Sequence, residues 1–405
     1  MKKGFSRRGF LKALGVGAGA VAGTRLAGGS SGLLGNAWAV TEPTTLVMIH
    51  LGGGMNAIFA SADSFAGSAF GVTNNNFTRM GADQTGPGID NSLASRITGF
   101  AADHTAALGV RHGISSHGNA QRALYMATGK SGPLTLASEI GGTGAIKAAL
   151  IGRDDLPNGQ RHAPVNGVSL QAIRDMGATI EAISGAQAAP NVADRPGSAK
   201  GMVASSAMSK NDVERSPGSL ATVTSGYKAA VETLVKPVKP FSIAEFNTAY
   251  NLNGTNIRNF QSKMAAAELM VRSDSNFVFV EDGGWDTHGD RDGNRVRNQM
   301  TQEIAPGVET FINRMINDAQ TRAERNVMVL LVGDFSRSLP GSDHQANLSV
   351  TLVGKYVKSG TTGKTAGNVG LPAGTPSVDG MWAQLASAAK VTTNPFGANP
   401  HNLVL

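Results

Sequence analysis

Two periods alternate along this chain. Short continuous apolar runs at Thr45 to His50 (TLVMIH), Phe277 to Glu281 (FVFVE) and Val327 to Val332 (VMVLLV) each give way to glycine. Uninterrupted runs of this kind predict strands buried on both faces of a parallel sheet. Ala107 to Val110 and Ser349 to Val353 are shorter strand candidates. Between them the period changes to three and four, as in Ile304, Val308, Phe311, Ile312 and Met315, which predicts an amphipathic helix. Further helices are expected over Asn119 to Thr128, Phe246 to Val271 and Asp379 to Ala389. Strands alternating with helices predict an α/β fold, a doubly wound and mainly parallel sheet flanked by helices. Residues 151–240 are rich in Ala, Gly and Ser with few apolar runs, and read as an insertion or cap.

Composition narrows the function. Of 405 residues, 16% are charged and 41% hydrophobic, so the chain can bury a sizeable core rather than remain disordered. The formal charge of +7 belongs to the first 39 residues, which hold Lys2, Lys3, Arg7, Arg8, Lys12 and Arg25 and no acid. Without those six, 30 bases face 29 acids, a net of +1. The remainder therefore lacks the electrostatic footprint of a nucleic-acid binder. There is no cysteine, which excludes disulfides, thiolate catalysis and iron–sulfur clusters. A redox protein is further disfavoured because no dinucleotide-binding fingerprint follows a predicted strand.

The first residues read as an export signal. Ser6-Arg7-Arg8-Gly9-Phe10-Leu11-Lys12 is a twin-arginine motif, followed by a weakly apolar Gly/Ala stretch and by Ala37-Trp38-Ala39. That pattern predicts handling by the twin-arginine export machinery and cleavage near Ala39. The mature domain would then be 40–405, periplasmic or secreted. Arg25 and several glycines interrupt the stretch, so it does not read as a stable membrane span.

Polar clusters follow the predicted strand ends, the edge where open α/β sheets bind ligands. Asp286 and His288, two residues apart after Gly283-Gly284, can chelate one cation, and O/N donors suit a divalent ion such as zinc or manganese. The alternative is an Asp capping a local turn. Asp334 ends the VMVLLV strand where it could meet a metal, and Arg337 could clamp an anion; the two could instead form an internal ion pair. Adjacent Asp343 and His344 could both reach a two-metal centre. Ser116 and His117 open a helix, where Ser116 is either an N-cap or a hydroxyl presented beside a metal.

Together these segments resemble the bacterial domain of unknown function 1501 family, a branch of the alkaline phosphatase and sulfatase superfamily. Gly283 to His288 is similar to the family's G-G-W-D-T-H, and Ser116 to Gln121 to its S-H-x-x-A-Q. Gly333 to Ser338 resembles S-E-F-G-R-T, and Ser342-Asp343-His344 resembles T-D-H-G. The resemblance spans about Thr44 to Ala389. It implies an alkaline phosphatase-like fold with divalent metal (zinc, manganese, magnesium or calcium) bound by Asp286, His288, Asp343 and His344. Asp334 is a further implied ligand, and His117 would sit near the substrate or a second ion; with Ser116 and Arg337, read above from their local positions, it forms the candidate catalytic set, although the pattern places no Ser or Thr nucleophile. Asn56, a candidate metal ligand through its carbonyl oxygen, occupies the place of a family carboxylate and so weakens a second metal site; Gly52 replaces a basic residue, and Asp334 a glutamate. Two readings follow. One is an exported metal-dependent hydrolase acting on small anionic phosphate or sulfate esters. The other is a non-catalytic exported binding or surface-assembly protein on a degenerate form of the same fold.

Overall fold

A computed structural model describes residues 42–67, 71–142, 144–184, 241–367 and 370–405. The leader and residues 185–240 of the Ala/Gly/Ser-rich stretch lie outside the described residues. The chain divides into two units, Met1–Leu33 with Gly177–Ser242, and Leu34–Met176 with Ile243–Leu405. Of the smaller unit, the helix Met176–Ser184 that enters it is described.

The apolar runs become the centre of an eight-stranded sheet. Its strands are β1 (Thr44–Leu51), β2 (Thr105–Arg111), β3 (Ala148–Ile151), β4 (Leu170–Ile173), β5 (Phe277–Asp282), β6 (Asn326–Gly333), β7 (Asn347–Gly354) and β8 (Gly360–Thr362), in the order β8-β2-β7-β6-β1-β5-β3-β4. Every residue of β1, β6 and β7 is buried, which is why they read as unbroken apolar runs rather than as alternation. β1 lies between β5 and β6, with Val47 beside Val278 and Val329, and His50 beside Glu281 and Val332. All strands run parallel except β7, which is antiparallel to both its neighbours. The connection 334–346 carries no crossover helix, so the chain turns straight back beside β6.

Helices cover both faces, as a doubly wound sheet requires. On one face Leu46, Met48, Leu330 and Val332 pack with α2 (Gly132–Ile140) and α5 (Val378–Ala388), whose Leu136, Met381 and Trp382 belong to the same core. On the other, Ile49, Val329 and Leu331 meet Val308 and Ile312 of α4 (Ala305–Ile312).

Four features depart from expectation. β3, β4 and β8 have no strong apolar run, being only four, four and three residues long. β4 falls inside the stretch read as an insertion, which therefore begins within the sheet. The single helix expected over Phe246 to Val271 is two, Ile243–Ala249 and α3 (Phe260–Arg272). The intervening NLNGTN breaks it: Asn251 and Gly254 take positive φ, and Asn259 caps α3 in a capping box with Ser262, where short polar side chains compete with helix bonds. Finally, helical chain runs ahead of Pro306 from Asn294, with a π turn at Met300–Ile304. The wider turn accommodates a residue that lacks N–H and crowds the carbonyl four positions earlier.

Candidate metal centre

β1, β5 and β6 end side by side at Leu51, Asp282 and Gly333. Each runs into a loop, and the three loops interlock. Trp285 N donates to Gly52 O at 3.1 Å, and Met55 N to Phe335 O at 2.9 Å. Ser336–Arg337 pairs with Met55–Asn56 on one side and with His344–Gln345 on the other. Buried Thr287 and Ser342 share a hydroxyl hydrogen bond of 2.7 Å, tying the β5 loop to the β6 loop. Gly53 has φ +117°, and a Cβ there would fall on the Asp286 amide nitrogen; only glycine permits so close an approach of two backbones. α1 (His117–Tyr125) brings a fourth segment to the same edge.

Three imidazoles converge on Asp286, and the partner of each Nδ1 decides what its Nε2 offers. His117 Nδ1 lies 2.6 Å from Asp334 Oδ2. His344 Nδ1 lies 2.7 Å from the Ser115 carbonyl, and His288 Nδ1 lies 3.3 Å from Asp343 Oδ1. All three partners are acceptors, so a proton on each Nδ1 satisfies them, and in that tautomer each Nε2 holds a lone pair. The Nε2 atoms of His344 and His117 are 3.8 Å from Asp286 Oδ1 and Oδ2, respectively, and that of His288 is 3.3 Å from Oδ1. His117, Asp286 and His344 each present a ligand atom within 4.8 Å of the others. His288 adds its Nε2 at 2.9 Å from that of His344. Two lone pairs facing one another at that distance repel unless a proton or a cation lies between them. Ligands at about 2.0–2.1 Å from a tetrahedral zinc stand roughly 3.3 Å apart, so the donor set fits a divalent ion.

Asp334 is arranged differently from the expected ligand. Its Oδ1 meets His50 Nε2 at 2.8 Å and Gln121 Nε2 at 3.1 Å; its Oδ2 meets His117 Nδ1 and, at 3.1 Å, Gly53 N. Three hydrogen bonds and the close His50 contact occupy both oxygens, so Asp334 orients His117 as an outer carboxylate orients a metal-binding histidine. Burial raises its pKa, but the bonds from His50, His117 and Gln121 prevail and hold it at about 2.

Arg337 is also not where an anion clamp would be. The guanidinium is fully buried. Nε donates to Gly53 O at 2.6 Å, Nη1 to Ser342 O at 2.5 Å, and Nη2 to Asp286 Oδ1. No edge faces solvent, so it positions Asp286 instead. Burial raises the Asp286 pKa, and Arg337, His288 and His117 outweigh it, leaving the carboxyl below its usual range. His344 is lowered, first by burial and then by Arg337 and the other two imidazoles, which keeps its Nε2 free.

The remaining expected residues lie around this centre. Asp343 is exposed and touches the outer nitrogen of His288. Asn56 is buried, its Oδ1 accepting from Ile58 N at 3.2 Å and its Nδ2 donating to Ser338 O at 3.4 Å, so both amide atoms serve the backbone. Ser116 occupies the N-cap position of α1 but its hydroxyl makes no cap bond; it is exposed beside His117. Sequence reasoning missed His50, Gln121 and Glu281. His50 ends an apolar run and reads as core; its signal is that an imidazole stands where a parallel strand needs an apolar side chain.

A family described as protein of unknown function (DUF1501) matches residues 188–375, a span that includes Asp286, His288 and His344. No curated protein matches this chain. Among solved structures, the alkaline phosphatase from the Antarctic bacterium TAB5 is similar at 9% identity and TM-score 0.36, over 87% of this chain and 99% of that one. The PsFucS1 sulfatase from Pseudoalteromonas sp. is similar at 10% identity and TM-score 0.34, over 87% and 68%. The lipoteichoic acid synthase LtaP from Listeria monocytogenes is similar at 9% identity and TM-score 0.27, over 94% and 80%. Among the described residues no helix is long and apolar enough to cross a membrane.

Proposed function

We propose that this chain is an exported, divalent-metal-dependent hydrolase of phosphate or sulfate esters. The observation that carries the reading is the convergence of three Nδ1-held imidazoles on the Asp286 carboxylate. His117, His344 and Asp286 would hold the ion, with His288 at its edge. Such an ion, when bound, polarises an ester oxyanion and activates an oxygen nucleophile. The chain's own residues do the rest. Asp334 fixes the His117 tautomer, Ser115 O that of His344, and Arg337 the Asp286 carboxylate. The exposed Ser116 hydroxyl opens α1, whose N-terminal amides favour an anion. Export rests on the twin-arginine leader.

The test is elemental analysis of the purified protein with hydrolysis of p-nitrophenyl phosphate and p-nitrophenyl sulfate. About one bound dication per chain and chelator-sensitive turnover are expected, with both lost in Asp286→Ala. Metal content unchanged by Asp286→Ala rejects the site. A second, non-catalytic reading draws on Asn56, whose amide is committed to backbone where a carboxylate would serve a second ion. Bound metal without turnover on either ester would favour it.

A further inference from the structure

We propose that His50 is a positioning residue: from within the sheet it holds the Asp334 carboxylate, and through it His117, in the orientation that presents His117 Nε2 to Asp286 and His344. The consequence for metal binding rests on the reading above; the geometry of His50 does not.

His50 is fully buried on the central strand β1, with the rings of Tyr125 and Phe279 each 5.9 Å from its own. A buried imidazole is costly unless polar groups lie close to its nitrogens, and here two carboxylates do, although neither contact has the alignment of a hydrogen bond. Nε2 lies 2.8 Å from Asp334 Oδ1, and Nδ1 lies 3.5 Å from Glu281 Oε1. Asp334 is acceptor-only when ionised, so Nε2 carries the proton toward it. On the other side Glu281 is itself held, in an ion pair with Arg153, whose guanidinium lies 5.7 Å from the Phe279 ring centre. Lys263 Nζ donates to the Glu281 carbonyl at 2.6 Å. A line of close polar contacts, Arg153, Glu281, His50, Asp334, thus crosses β5, β1 and β6 and ends at His117. The parallel register fixes it, since it sets His50 beside Glu281, while Asp334 directly follows β6. Of the donors to Asp334, Gln121 and His117 come from α1 and Gly53 from a loop; His50 alone comes from the sheet.

The test compares His50→Leu, which removes the donor, with His50→Gln, whose Nε2 can replace it. In metal-free protein, imidazole ¹H–¹⁵N spectra should show a slowly exchanging His117 Nδ1–H, identified by its loss in His117→Asn. It should persist in His50→Gln and vanish in His50→Leu. A zinc titration should show affinity weakened roughly 10–100-fold in His50→Leu and largely restored in His50→Gln. If His50→Leu does not fold, His50→Asn, whose amide is too short to reach Asp334, gives the same comparison. A His117 Nδ1–H unchanged without the His50 donor overturns the proposal. If wild type binds no zinc but that proton responds as expected, the hydrolase reading fails and the role of His50 stands.

Discussion

Arg337 and Asp286 illustrate how a residue's type and its orientation carry different information. The strand-end position announced a cation beside a candidate ligand. It did not announce that the guanidinium would lie beneath the loops with donors on Gly53 O, Ser342 O and Asp286. Replacing it leaves two buried carbonyls without partners, each worth about 1–3 kcal/mol. Arg337→Lys should therefore lower stability by on the order of 3 kcal/mol, read from denaturant midpoints at unchanged slope, and should weaken metal binding with it. A loss of ester affinity alone, with stability intact, would return Arg337 to the role of anion clamp. The same distinction explains Asp334 and Asp343. Their chemistry was legible as carboxylates near imidazoles, but which nitrogen each one faces is set by backbone geometry that no local pattern encodes.

At the scale of elements, the strands that could be read were those buried on both faces, because full burial demands an unbroken apolar run. β3, β4 and β8 were invisible because they are short and lie toward the sheet's edges. The site's loops were legible as glycine-flanked polar clusters after strands, and their interlock was not. Gly53 is where that interlock can be tested. A methyl group at this position would meet the Asp286 backbone, and φ +117° disfavours any L side chain. Gly53→Ala should cost several kcal/mol, beyond the ordinary range of roughly 0.5–3 for point changes, and should abolish metal binding. Gly283, around which a Cβ would have open space, is the control: Gly283→Ala should bind metal as wild type does. Equal behaviour of the two variants would mean that the loops do not pack as described.

The molecule as a whole should respond to acid in two stages. His401 is buried, its Nδ1 2.5 Å from Thr362 Oγ1, and burial depresses its pKa from 6.5 to about 4. His112 is depressed likewise, to about 4, chiefly by burial. A group whose folded pKa lies below its unfolded value stabilises above the unfolded pKa, and that contribution is lost as pH falls through the folded one. The histidine stage therefore runs from about pH 6.5 to 4, and His401 alone accounts for on the order of 2–3 kcal/mol. The Asp334 stage follows, from about pH 4 to 2 by the same sign, because its pKa is depressed to about 2. Urea midpoints across this range should fall in both windows in chelator-treated protein, and His401→Gln should shrink the first window, leaving the His112 share, without changing the second. A profile flat down to pH 4 would contradict the burial of His401 and the partial burial of His112.

The place of β1 has a further consequence, for the order of events during synthesis. Its first residues pair with Asn326 and its last with Asp282, more than half the chain away. The ribosome therefore releases the central strand long before either neighbour exists, and loop closure of that length must precede any reward. Until then β1 is an apolar segment with both edges open, the form most prone to pair wrongly. His117 and Asp286 cannot meet His344 before that point either. Assembly of the cluster is thus a late event on the nascent chain.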